Sequence, residues 1–495
     1  MTNAKRKVTP GVTRPSAATA AERLDAFLEA RRRSPEGQRG QRFEEFEEQL
    51  HELMMARERE LLAEDMARAD VDVPAIEVNG ITYRQVSRDT LEYLTAAGPV
   101  QVERSLYKDR SDEGERAIVP MELELGIMAG YFTPRAAKQG LWLVSQMTPT
   151  TAAECCERMG NMTPSKSTLD RLPKRAKETW EEDAARYNAA LRDAMVVPEE
   201  ARSVAVSLDG VLIPMKDAKG PETRQKAAES GKLTRGPAGY REASCATLTF
   251  CDAKGDLISA VRFAQMPEAN KVTLKRRLLQ ELTVALEKRP DLEVVKLADG
   301  ALDNWTFLDE SVASTPNGAS AVDFYHACEH LGAAVALVHG EGTVVTRRRF
   351  AALRHVLLEE ENGVESVIRA LRYMHDKESG AKKREALKRE LSFFRKRRSK
   401  MQYATMKRDG LAIGSGVVEA ACKTLVAQRM KLSGMQWGME GGQAILNIRG
   451  WTQSNRFDQA WQMLAAACRA RVTVLSNIVM LRPNRGPRTP ELASG

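Results

Sequence analysis

The chain has 495 residues, 43% of them hydrophobic, which is enough for two to four domains with sizeable cores. No run of 18 apolar residues occurs and the opening stretch MTNAKRKVTPGVTRPSAATAAERLD lacks a signal-peptide core, so a cytoplasmic protein without a membrane partner is expected. Lys plus Arg number 75 against 67 acids, a net charge of +8 that favours an anionic partner, nucleic acid first among them. The seven cysteines form no CxxC pair, which argues against a zinc ribbon or a disulfide framework and for reduced buried thiols.

In chain order, residues 1–40 are basic and read as a flexible arm, and 42–68 predict a helix with Phe43, Phe46, Leu50, Leu53 and Leu61 at helical spacing. AIEVNGITYRQV carries Asn79-Gly80 between β-branched runs, a hairpin signal, and GPVQVERSLY (98–107) reads as a further strand. Thr133-Pro134, Thr148-Pro149 and Thr163-Pro164 each suit a helix start. The last two bracket a helix, a Gly160-Asn161 turn and a second helix lined by Ser165, Lys166, Ser167 and Arg171, with Pro173 disturbing its course. That is helix-turn-helix spacing, with Lys166, Ser167 and Arg171 as the candidate DNA contacts, and it equally fits a plain αα-hairpin.

From 203 the texture changes. SVAVSLDGVLIPM predicts a strand, followed by a polar loop, two strands joined at Lys254-Gly255, a helix over 268–288, the strand LEVVKLADG, a short helical stretch through Trp305 and a short strand running into the helix of SAVDFYHACEHLGAAVALVHG. Three strands, helix, strand, helix, strand is a ribonuclease-H-like α/β order. Residues 331–405 read as helical throughout, with basic stretches at Arg347–Arg349 and 382–400; a Gly-rich turn and a helix follow at 414–431, then more helix and a Pro/Arg-rich tail that is basic at 482–488.

Asp209 and Asp299 each end a hydrophobic strand and precede glycine, and Glu419 opens a helix after Gly414-Ser415-Gly416. Carboxylates at strand ends sit where α/β sheets place ligands, and hard divalent cations take such oxygen donors. Asp-Gly at a strand end is also ordinary turn chemistry. Two metals about 3.5–4 Å apart activate an attacking oxygen and stabilise a leaving one at a phosphate.

SLDG at 207–210, ADGALDNW at 298–305, DFYHACEHL at 323–331 and GSGVVEAACK at 414–423 resemble the motifs of DDE transposases of bacterial insertion sequences, nearest the ISKra group and more distantly the Mutator-like enzymes, over roughly 75–450. After the strand at 98–107, where such proteins often carry a cysteine pair, this chain reads YKDRSDEGE. The resemblance implies Asp209, Asp299 and Glu419 as a catalytic triad holding two Mg²⁺ or Mn²⁺ ions, and Asp323 and His326 as an active-site support. It implies DNA partners, namely element terminal repeats and target DNA, and a homo-oligomer on DNA in the bacterial nucleoid. The expected organisation is a basic arm and helix at 1–75, a mainly helical DNA-end-binding region at 76–185, a ribonuclease-H-like core at 200–330 and 406–450, an all-α insertion at 331–405, and a C-terminal helix and tail at 451–495.

Three other readings remain, one of them another ribonuclease-H-like nuclease such as a resolvase. His326, Glu329 and His330 spell His-x-x-Glu-His, an inverted zinc-peptidase motif, although His330 on a helix face is also ordinary packing. A non-mobile DNA-binding regulator would use the helix-turn-helix and basic runs alone. Arg429, Lys431, Trp437, Arg449 and Trp451 mix bases and aromatics as a DNA-end contact does, or as a buried core does.

Overall fold

The computed structural model describes residues 18–33, 43–109, 117–160, 162–216 and 239–475. The arm before 18, most of the polar loop that follows SVAVSLDGVLIPM, Asn161, the YKDRSDEGE stretch from 110 and the basic run at 482–488 lie outside the described residues. The protein is a mixed α/β structure with two sheets. It divides into two compact units: Met1–Gln139 with Ala153–Lys166 and Ala465–Gly495, and Gly140–Ala152 with Ser167–Leu464.

The first unit begins with helices α1 (Ala20–Arg33) and α2 (Phe43–Arg68). Helix α1 corrects the expectation of a flexible arm across 1–40. Its sequence is dense in Ala, Leu, Glu and Arg, all strong helix formers. It is also anchored: Phe27 stacks on Phe46 of α2 at 5.6 Å, and Arg31 lies 3.6 Å above the same ring. Strands β1 (Ala75–Val78), β2 (Ile81–Thr95) and β3 (Gly98–Lys108) follow. Asn79 and Gly80 adopt φ of 52° and 80°, the left-handed pair that a two-residue hairpin turn requires. The sheet order is β3-β2-β1-β9, all antiparallel, where β9 (Val472–Val474) comes from the C-terminal segment. Residues 76–185 thus contribute three strands as well as the expected helices. Tyr93, Val100 and Val102 of that sheet pack with Met66 of α2 and with Met121 of the short helix α3 (Pro120–Leu125).

Helices α4 (Pro134–Gln146), α5 (Pro149–Arg158), α6 (Lys166–Glu181) and α7 (Ala184–Asp193) come next. Two of the Thr-Pro pairs open helices, with proline at the first position, and the Thr148 hydroxyl accepts from the Thr151 amide at 3.1 Å. Pro173 does not end α6. A proline inside a helix costs about 3 kcal/mol, and here it belongs to a continuous buried stripe of Leu169, Leu172, Ala176 and Trp180 that holds the helix together.

In the second unit a five-stranded sheet has the order β6-β5-β4-β7-β8. Its members are β4 (Ser203–Pro214), β5 (Tyr240–Cys251), β6 (Leu257–Gln265), β7 (Glu293–Ala298) and β8 (Ala319–Val322). The β4-β5-β6 pairs are antiparallel, and β7 and β8 run parallel to β4. Leu208, Ala246 and Phe263 share a core with Leu274, Leu278 and Leu282 of α8 (Val272–Lys288). The alternate residues Cys245 and Ala264 join a separate core with Val418, Leu425 and Leu446. Helix α9 (Leu302–Ser311) follows β7.

Four helices, α10 (Phe324–His339), α11 (Val344–Glu359), α12 (Gly363–Lys377) and α13 (Ala381–Arg397), close on one another as a ring in chain order. Its interior holds Leu353, Leu357, Val367, Leu371, Leu387, Leu391 and Phe394. Helices α14 (Tyr403–Arg408) and α15 (Gly416–Ala421), a π-helical turn Cys422–Ala427, a last turn Gln428–Met430, α16 (Met439–Gln453) and α17 (Phe457–Ala467) complete the order. Among the described residues no helix is long and apolar enough to cross a membrane.

Candidate active site

Ser207 pairs with Leu297 and Ala298 with Val322 in the parallel ladders. Continuing that register sets Asp209, Asp299 and Asp323 abreast across three neighbouring strands. Asp209 does not end its strand, as the sequence suggests: β4 runs on to Pro214 because its antiparallel partner β5 carries it that far. It is β7 that stops, so Asp209 lies where the parallel ladder ends. Gly210 serves closeness and not a turn. A Cβ there would lie 2.3–2.7 Å from the side chain of Glu242, which crosses directly over it.

Asp209 is partly buried, and its pKa is raised, first by burial and then by the charge of Asp299, with Glu242 adding and Lys271 opposing. Its carboxylate accepts from the Gly210 amide at 2.6 Å and lies 3.8 Å from the Cys422 thiol. That thiol is held well above its usual pKa, foremost by a hydrogen bond with Cys245, and so brings no charge of its own. The buried Asn304 donates to Asp299 Oδ1 at 3.1 Å and reaches the Leu208 carbonyl at 3.4 Å, tying the ends of the two strands together. The Trp305 indole donates to the Asp299 carbonyl at 2.7 Å, and Arg397 donates to the next carbonyl, of Gly300. Among the described residues neither Asp209 nor Asp299 forms an ion pair, and the nearby Lys271 is paired at 3.2 Å with Glu242. Lys271 also donates to Asn304 at 3.2 Å, from a left-handed backbone (φ 54°) that costs a lysine roughly 1–2 kcal/mol.

Two oxygen donors facing each other without a paired cation fit a hard divalent ion. Glu419 is not gathered with them. It is exposed on α15, three residues before Cys422, and no group of three or more metal-capable side chains is assembled among the described residues. Asp323 ties this helix to the sheet. One of its oxygens accepts from the His326 amide at 2.7 Å, capping α10, and the other accepts from the Ser415 hydroxyl at 2.9 Å and the Ser415 amide.

His326 and His330 meet edge to face at 4.9 Å. His330 is occupied structurally, bonded to Glu390 at 2.6 Å and stacked on Phe393 at 3.7 Å, and His326 Nδ1 lies 3.3 Å from Glu329. Lys166, Ser167 and Arg171 are exposed on α6, with Arg171 bonded back to the Ser167 carbonyl at 3.2 Å. Arg429 and Arg449 are 2% and 4% exposed, so of the two readings of this stretch the buried core is the one that applies to them. Arg429 donates to Val144, and Arg449 to Leu425, Ser145 and Thr424, all main-chain carbonyls. Trp451 is equally buried, whereas Lys431 is exposed and Trp437 partly so.

Sequence reasoning missed Glu242, Lys271 and Asn304 as members of this site. Asn304 sits within ADGALDNW, five residues after Asp299, where one helical turn returns a side chain to the strand end. Nothing local marks Glu242 or Lys271.

No family model and no curated protein matches the chain. Among solved structures it is similar to a Drosophila P element transposase strand transfer complex at 11% identity, over 68% of this chain and 84% of that one, with a TM-score of 0.25. Likeness at that level is loose, and the functional reading rests on the site.

Proposed function

We propose that the protein is a DDE-type DNA transposase of a bacterial insertion sequence, nearest the ISKra group, acting on terminal repeats and target DNA as a homo-oligomer. The observation that carries this reading is the pair Asp209 and Asp299, set side by side at the end of the parallel ladder with no cation paired to either among the described residues. The strand order, with one antiparallel hairpin on one side of β4 and two parallel strands on the other, supports a ribonuclease-H-like core. The helical ring between the second and third acids supports the insertion.

In this reading Asp209 and Asp299 hold two Mg²⁺ or Mn²⁺ ions and Glu419 completes the donor set. The ions, when bound, activate the attacking oxygen and stabilise the leaving one. Asn304 keeps the Asp299 carboxylate aimed at Asp209. Asp323 tethers the start of α15 and the Cys422 contact with Asp209 holds its far end near β4, so Glu419 joins the donor set in this reading through a rearrangement of α15 on DNA or metal binding. Lys166, Ser167 and Arg171 on α6 read the repeat, while Arg347–Arg349 and the exposed bases of α13 grip phosphates.

The test is cleavage of a labelled terminal-repeat duplex in Mg²⁺ or Mn²⁺, beside a gel-shift control. Glu419→Gln should abolish cleavage and leave binding intact. Near-wild-type cleavage by that variant would remove Glu419 from the donor set. Cleavage that survives full chelation would dispose of the metal mechanism. For the phosphate grip, deleting 382–400 is unsuitable, because Leu387, Leu391 and Phe394 belong to the core. Neutralising Lys382, Lys383, Arg384, Lys388 and Arg389 together should instead flatten the salt dependence of DNA binding, by about 0.9 in log–log slope for each phosphate left without its cation.

A further inference from the structure

Strand β6 is the edge of the five-stranded sheet and α16 lies along it. Between α8 and α16, near the end of that strand, is a cavity of about 590 Å³. Ligand pockets span roughly 300–1,000 Å³. Its wall includes Trp180 and Trp451, rings 4.5 Å apart, together with Arg192, Arg276, Arg277 and Asn447.

Arg277 is the member that lacks a partner. Its guanidinium lies over the Phe263 ring at 4.6 Å, and among the described residues no carboxylate or carbonyl is hydrogen-bonded to it. The nearest candidate, Glu281, is taken in bidentate fashion by the buried Arg456 at 2.9 and 3.0 Å. Burial holds the Arg277 pKa down at about 10; Glu281 draws it up, and Arg456 and Arg192 push it further down. The guanidinium stays charged at neutral pH, is only partly buried, and is offset in part by a Glu281 that Arg456 already holds, so it can take an anion from the cavity. The acid on the cavity wall, Glu181, is itself bound by Lys177 at 2.6 Å. Asn447 accepts from Gln443 at 2.8 Å through Oδ1, which leaves its Nδ2 as a donor. An arginine fork matches phosphate oxygens in geometry as well as charge.

We propose that this cavity binds the phosphate ester of a nucleotide-sized ligand, with Arg277, Arg276 and Arg192 on the phosphate and Asn447 donating beside them. The phosphate comes either from a free nucleotide or from a nucleotide within a DNA strand. The inference does not depend on the metal-carboxylate reading, since no acid of that site takes part.

The experiment is a calorimetric titration of the full chain with three probes: deoxyadenosine monophosphate, deoxyadenosine, and a short single-stranded oligodeoxynucleotide without terminal phosphate. Deoxyadenosine should not bind. Saturable binding of the monophosphate that weakens at least tenfold in Arg277→Gln would support the proposal and assign a free nucleotide. Binding of the oligonucleotide alone, with the same loss in Arg277→Gln, would support it and assign a strand phosphate. Failure of both phosphate probes, equal affinity in Arg277→Gln and wild type, or equal binding of deoxyadenosine would overturn it. Should Arg277→Gln not fold by circular dichroism, Arg276→Gln, on an exposed side chain, carries the same expectation with a loss of about threefold, and unchanged affinity there overturns the proposal.

Discussion

Arg449 is buried and Asp209 partly buried within one compact unit, and their surroundings are opposite. Arg449 spends its guanidinium on three carbonyls, and Arg429 spends its own on a fourth. Two of those carbonyls, Val144 and Ser145, are in the last turn of α4, where a helix leaves acceptors without intrahelical donors. These arginines are helix caps made from inside the core. Asp209 instead faces a second carboxylate and a thiol, and its neighbouring lysine is committed to Glu242. The fold satisfies the charge of these arginines with its own carbonyls and leaves Asp209 without an ion pair among the described residues. Arg277 falls on the same side of that division as Asp209.

The sharpest break of this comparison is at the acids. Asp209→Asn and Asp299→Asn keep the size of the side chain and remove its charge, so under the proposed function cleavage of a terminal-repeat duplex should fall at least ~100-fold through a misplaced attacking oxygen. Gel-shift affinity should be unchanged. Asp323→Asn should lose less, because it acts on the Ser415 turn and not on the carboxylate pair. Comparable losses in all three would erase the distinction between ligand and tether.

Arg449→Met tests the other half. It strands three buried carbonyls, and unsatisfied buried polar groups cost about 1–3 kcal/mol each before relaxation, so a loss of roughly 3 kcal/mol in urea unfolding is expected. At equal occupancy of the folded state, its DNA affinity should match wild type. A variant that folds normally but binds DNA with a lower salt slope would return Arg449 to the DNA-facing role its sequence neighbourhood suggests.

What sequence alone could and could not deliver follows the same physics. The strands around SLDG and LADG and the Asn79-Gly80 hairpin are local signals, carried by runs of apolar residues and by backbone conformations that few residues adopt. Strand β9 escapes a reading of the sequence because three residues of RVTVL gain strand character only by pairing with β1 near the other end of the chain, Ile76 opposite Val474. Helix α1 is hidden in a basic stretch whose order depends on Phe46 receiving Phe27. In the site, the aspartates stand out because each ends an apolar run, whereas Glu242 and Lys271 are ordinary surface residue types until the sheet folds Glu242 over Gly210. Arg429 and Arg449 stay ambiguous in the sequence because a buried arginine and a phosphate-binding one are the same letter, and only the carbonyls opposite distinguish them.

The smallest effect is the most discriminating. Asp209 has a folded-state pKa above its usual value of 3.8, so between 3.8 and that raised value the folded protein binds more protons than the unfolded one. Stability then falls as pH rises through this window, and the penalty persists in full above it. Asp209→Asn removes the penalty. In chelator the variant should melt higher than wild type at pH 7, and the gap should close as the pH falls below 3.8, where the wild-type carboxyl becomes protonated in both states. Mg²⁺ should reverse the order, because an ion bound only to the folded protein stabilises it by mass action and the variant has lost a ligand for it. Differential scanning calorimetry with and without Mg²⁺ reads this without any DNA or turnover. If Asp209→Asn melts lower in chelator, the carboxylate is a satisfied structural group like the arginines. If it melts higher but Mg²⁺ leaves the order unchanged, the strain is real and a divalent ion is not what relieves it.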